Sequence, residues 1–156
     1  MTKTIVTGVD SSQTALAAAD KAAELAAGTG AELHVLSAFS ISGTVTLEAA
    51  RANNPSAGTQ AAYRRLTESY SHAAQEVADS VSDVLREKYP SITVHAAAVE
   101  GTPAEALLKK ADELDADTIV VGNKHVQGFS RILGSIARKV AAESPCDLYI
   151  VNTTQQ

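Results

Sequence analysis

The sequence predicts a three-layer α/β domain built on a parallel sheet, five strands alternating with four helices. Short β-branched runs recur between longer stretches of helical spacing. Most of those runs are apolar on both faces, as strands covered by helices on each side must be. Alternation within 156 residues implies right-handed crossovers, parallel neighbours and one domain spanning residues 1–156.

The elements follow in order. Ile5–Val9 is a short apolar strand that ends at Asp10-Ser11-Ser12, residues suited to cap a helix. Residues 13–27 carry Leu16, Ala19, Ala23 and Ala26 at helical spacing, and Gly28-Thr29-Gly30 stops that helix. Leu33–Phe39 is the second strand, with His34 inside it as a structural residue. Ser40–Ala62 mixes Ser, Gly, Thr, Asn, Pro and Ala with little periodicity. It reads as a loop that is mobile until a partner binds. From Tyr63 to about Lys88 a long helix carries Leu66, Tyr70, Ala73, Val77, Val81 and Val84 on one stripe. Ile92–Val99, with His95 inside it, is the third strand. Thr102-Pro103-Ala104-Glu105 then combines a cap, a first-turn proline and a capping box. Thr118–Gly122 is the fourth strand, Ser135 to about Ala142 a helix, and Asp147–Asn152 the last strand.

Composition excludes several functions. A net charge of −5 and six aromatic residues argue against general nucleic-acid binding, which needs cations for phosphates and rings for bases. No apolar run approaches the length of a membrane span. The lone Cys146 cannot form an internal disulfide and reads as a small buried hydrophobe. Met1-Thr2-Lys3-Thr4 leads directly into a strand without a signal peptide, so a cytoplasmic location is expected. The four histidines show no paired metal-ligand spacing, and no nucleophile elbow or Walker-type loop is present.

In such a sheet a ligand binds at the carboxyl ends of the strands, where the strand order reverses. The richest segment there is Gly122–Ser135, which leaves a strand and enters a helix. Its glycines permit close backbone approach, and Gly134-Ser135 offers helix N-terminal N–H groups and a hydroxyl to phosphate. From Thr118 to Ala142 there is no acidic residue, but there are Lys124, Arg131, Arg138 and Lys139. The rest of the chain holds nine cations against 18 acids, so this segment is a basic island suited to an anion. The same glycines and charges also fit a plain turn with a solvated face. Asp10 faces the same crevice, either holding a divalent cation beside a nucleotide or capping a helix with Ser11 and Ser12.

Five segments taken in order, Ile5–Ser12, Val99–Glu105, Ala116–Gly122, Gly128–Ser135 and Ser144–Val151, resemble the universal stress protein family over nearly the whole chain. The resemblance implies a Rossmann-like sheet of the adenine nucleotide alpha hydrolase type, in strand order 3-2-1-4-5. It implies a homodimer through the last strand, involving Leu148 and Ile150. It also implies ATP or another adenine nucleotide, with Mg at Asp10, held between the first and fourth strands. The implied contacts are Val9, Asp10, Ser11, Ala38 at the base, Gly101, Gly122, Asn123, Lys124, His125, Gly128, Gly134, Ser135 and Ile136. The sequence departs from the family's phosphate loop in two ways. His125 stands at its second glycine, and eight residues rather than nine precede Gly134-Ser135. The function expected is a stress-response binding module with at most slow ATP turnover. The alternative is a regulatory dimer that acts through protein contacts without nucleotide.

Overall fold

A computed structural model describes residues 2–41, 57–123 and 133–153. The strands are β1 (Thr4–Gly8), β2 (Glu32–Phe39), β3 (Val94–Glu100), β4 (Thr118–Gly122) and β5 (Asp147–Val151). The helices are α1 (Gln13–Thr29), α2 (Ala57–Lys88), α3 (Pro103–Glu113) and α4 (Ser135–Glu143). The strands form one parallel sheet in the order β3-β2-β1-β4-β5. The strand order reverses between β1 and β4.

Two apolar layers sandwich the sheet. On one face Ile5, Val9, Leu33, Val35 and Val120 meet Ala18, Ala19, Ala22, Ala23 and Ala26 of α1, together with Leu85 of α2. On the other, Val6, Leu36, Ile119 and Val121 meet Ala104, Ala106, Leu107 and Ala111 of α3 and Ala137 and Val140 of α4. The alternation along β1 and β4 follows from the two-residue period of a strand. Thr7 lies fully buried at the centre, and its Oγ1 donates to the Val120 carbonyl at 2.9 Å across the β1–β4 seam.

The ends of the helices follow from local chemistry. Ser12 caps α1 by accepting from the Ala15 N–H, and Gly30 ends it in the left-handed region at φ 72°. Thr102 and Glu105 close the expected capping box on α3.

Three sequence expectations are corrected. Residues 57–62 are helical, because α2 begins at Ala57 and not at Tyr63. Their weak apolar pattern reads as loop, yet adding turns to a formed helix costs little when Ala and Gln supply them. The rest of the expected mobile loop, residues 42–56, lies outside the described residues. The buried stripe of α2 runs through Ala74, Ala78, Ser82 and Leu85, and Val84 is 52% exposed. Small residues let the helix sit close to the sheet, with Val77 and Val81 packing at its flanks. β3 starts at Val94, since the Ile92 N–H is taken by the Tyr89 carbonyl in a turn.

The two edges of the sheet differ. Along β3, Gln75 Oε1 accepts from the Ala98 N–H while its Nε2 donates to the Ala96 carbonyl, and Arg86 donates to the Val94 carbonyl at 2.7 Å. Side chains of α2 thus engage the outward Val94 and Ala96 carbonyls and the outward Ala98 N–H of β3. No side chain among the described residues does the same along Asp147–Val151.

Among the described residues no helix is long and apolar enough to cross a membrane. Cys146 is half-buried against the α3/α4 layer. Burial pushes its thiol pKa up, which opposes formation of the reactive thiolate.

Ser82 carries a testable cost. Its hydroxyl is fully buried and finds no hydrogen-bond partner among the described residues. Ser82→Ala removes that desolvated group and raises helix propensity, so stability should rise by about 1 kcal/mol. Urea denaturation of both proteins measures it, and a loss of stability would show that the hydroxyl has a partner.

Candidate functional site

At the carboxyl ends of β1 and β4 the first turns of α1, α3 and α4 splay apart. They leave a cavity of about 440 Å³, within the usual range of small-molecule sites. Gly8, Val9 and Asp10 bring β1 to its floor, and Val121 and Gly122 bring β4. Leu36 and Ala38 of β2 extend one wall, Pro103, Ala106 and Leu107 of α3 another, and Ile136 and Ala137 of α4 a third. Ser12, Thr14, Ala15 and Ala18 line the side of α1. The walls are mostly apolar, and the polar groups gather at the helix starts.

Helix α4 begins here. Gly134 is its cap residue, is buried and supplies no side-chain hydrogen bond. Among the described residues, no side chain caps the first N–H groups of α4. The carboxylate of Asp10 accepts from the Ser12 N–H at 2.7 Å, forming a turn that leads into α1. Among the described lining residues Asp10 is the only ionisable side chain. Space at Gly122 is tight: a Cβ there would meet Thr153 Cγ2 at 3.3 Å, so that side chain would have to shift slightly. Gly101 adopts φ 131°, a conformation that L residues rarely adopt, and its N–H donates to the Phe39 carbonyl.

Of the residues expected at the site, Val9, Asp10, Ala38, Gly122 and Ile136 line the cavity. Ser11, Asn123 and Ser135 each adjoin one of these in sequence, but they are not lining residues, and neither are Gly101 and Gly134. Lys124, His125 and Gly128 lie outside the described residues, as does Arg131 of the basic island. Lys139 is turned to an acid, with its Nζ 3.8 Å from Glu105. Asn123 has a framework role: its Oδ1 accepts from the backbone N–H and the Oγ1 of Thr153, at 2.9 and 3.1 Å. That ties the end of β4 to the chain beyond β5. Sequence reasoning missed Ser12, Thr14, Ala15 and Ala18 as lining residues, and Pro103, Ala106 and Leu107 with them. The i, i+4 pair Thr14 and Ala18, at the start of α1, was the available signal.

A parallel five-stranded sheet with a cavity at its reversal point defines a doubly wound α/β protein with its cavity where such folds take ligands. The sequence matches the universal stress protein family over residues 1–152, and the chain belongs to that family. It is 33% identical over 160 residues to universal stress protein Rv1636 of Mycobacterium tuberculosis (strain ATCC 25618 / H37Rv), covering 97% of each chain. A universal stress protein solved in complex with cAMP superposes with a TM-score of 0.68 at 26% identity, covering 98% of both chains. The universal stress protein of Archaeoglobus fulgidus in complex with dAMP gives a TM-score of 0.61 at 19% identity, covering 96% of this chain and 97% of that one.

The framework role of Asn123 is testable. Asn123→Ala leaves the Thr153 N–H and hydroxyl without their acceptor. Stability should fall by about 1–3 kcal/mol in denaturant unfolding. Unchanged stability would mean that the carboxamide is dispensable to the fold.

Proposed function

We propose that this protein is a binding module for an adenine nucleotide, with the base against Ala38 and the phosphates toward the start of α4. The observation that carries the proposal is the cavity itself: apolar walls on the β2 side and, on the other, a helix N-terminus whose first N–H groups have no side-chain cap among the described residues. An aromatic base suits the first and an anionic phosphate the second. The complexes of related proteins with cAMP and dAMP support the same ligand class. ATP is the finer assignment, with Lys124, His125 and Gly128 following β4 and Ser135 offering its hydroxyl. Asp10 suits magnesium, which commonly takes one or two protein carboxylates and completes its shell with phosphates and water. With one ionisable group lining the described cavity, the reading favours holding the nucleotide over turning it over.

Calorimetry with AMP, cAMP and ATP tests this. Ala38→Leu should weaken all three by about 1–3 kcal/mol, the usual cost of adding methylenes to filled space. Ser135→Ala should weaken ATP by about 1–2 kcal/mol and leave adenosine unchanged. Failure of the wild type to bind any adenine nucleotide would sink the reading and leave a regulatory dimer that acts through protein contacts.

We also propose that two copies pair through β5. Among the described residues its outer edge lacks the caps that α2 gives β3, and Tyr149 and Ile150 on this strand are 41% and 36% exposed. An uncapped strand with apolar side chains invites pairing. Light scattering at micromolar concentration should give a dimer for the wild type and a monomer for Ile150→Lys. A wild-type monomer would refute the pairing.

A further inference from the structure

A second cluster of chemically able side chains lies away from the cavity, toward the amino ends of β2 and β3. Glu32 and His34 are two residues apart on β2, so they share a face of the sheet. His95 on β3 is the register partner of His34. The two imidazole rings stack with centroids 4.5 Å apart and planes inclined by 22°. Nε2 of His95 lies 3.6 Å from Oε2 of Glu32. One donor atom from each of the three side chains falls within 4.8 Å of the other two.

We propose that Glu32, His34 and His95 form a binding site for a divalent transition-metal ion of the zinc type. The donor set selects the ion. Two imidazoles and one carboxylate suit zinc and its late first-row neighbours and leave a fourth position for water. Calcium and magnesium prefer shells of oxygen alone. A simple ion pair accounts for the cluster less well. It requires a charged His95, and a cation on either stacked ring would face the other ring at close range. Neutral rings are the form that binds metal.

The geometry needs a modest contraction. Donors on a tetrahedral zinc with bonds near 2.0–2.1 Å stand about 3.3–3.4 Å apart. The side chains of His95 and Glu32 are 48% and 41% exposed and can swing inward, while half-buried His34 provides the fixed point. The cation facing the cluster is Lys110 of α3, and its ammonium is held at 3.2 Å by Glu113.

Titration of the full chain with Co²⁺, followed by its visible ligand-field bands and by displacement with Zn²⁺, tests the site. One ion per chain is expected. Groups beyond the ligands already change metal affinity 10–100-fold, so removing a direct ligand in His95→Gln or Glu32→Gln should weaken binding by more than ~10-fold. His72→Gln, on an exposed turn of α2 beside Glu76, should bind as the wild type does. Zn²⁺ should raise the melting temperature of the wild type and not that of His95→Gln. Equal affinity in wild type and His95→Gln, loss of binding in His72→Gln, or no binding by the wild type would each overturn the proposal. None of these readouts depends on nucleotide.

Discussion

Close approach of helix to sheet is the constraint on which this fold rests. The chain has no tryptophan and few aromatic side chains to span a wide gap between layers. It narrows the gap instead. Five alanines of α1 are at most 2% exposed against the sheet, and Ala74, Ala78 and Ser82 are buried likewise on α2. The larger side chains sit on the strands, Leu33, Leu36 and Ile119 among them, and fill the space between the helices. Large facing small is how layers reach interior density without voids. At the carboxyl ends of β1 and β4 the same small residues face no large partner. There Ala15, Ala18, Ala38 and Ala106 border open volume. The cavity is therefore the place where the packing rule stops, and the switch in strand order fixes where that happens.

Much of this was legible from the residues, for reasons that differ by element. Thr102-Pro103-Ala104-Glu105 announces the start of α3 because cap, proline and box lie within four residues and need no tertiary contact. Gly30 marks the end of α1 for the same local reason. The sheet order came from the resemblance to the family, since strand pairing is non-local and spacing alone does not rank neighbours. The buried stripe of α2 was misread by one position. Valines at 77, 81 and 84 look like core, but the sheet prefers the smaller row beside them because distance, and not hydrophobicity, is limiting.

The site divides in the same way. Asp10 and Gly122 line the cavity and were readable because each closes a strand that the topology aims at the crevice, whereas Val9, Ala38 and Ile136, which line it too, came from the resemblance to the family. Leu107 was not readable, because at helical spacing it is an ordinary core leucine, and only the tilt of α3 brings it beside Gly8. Asn123 follows Gly122 and looks like a ligand, yet Thr153, thirty residues away in sequence, claims its carboxamide oxygen. Long-range hydrogen bonds of this kind have no sequence signature. The Glu32–His34–His95 cluster was not read from the sequence: Glu32 and His34 pass as ordinary strand alternation, and the third member arrives only through the register of β2 with β3.

The side chains of Gln75 and Arg86 have a consequence for valency. By holding the outward carbonyls of Val94 and Ala96 and the N–H of Ala98 they obstruct one of the two edges through which a sheet can grow. A sheet with two open edges is divalent, and head-to-tail pairing of divalent units propagates into fibres. With β3 closed the chain is monovalent for strand addition. A symmetric pair formed through β5 would consume the remaining edge in both copies, so polymerisation along the sheet has no propagating end.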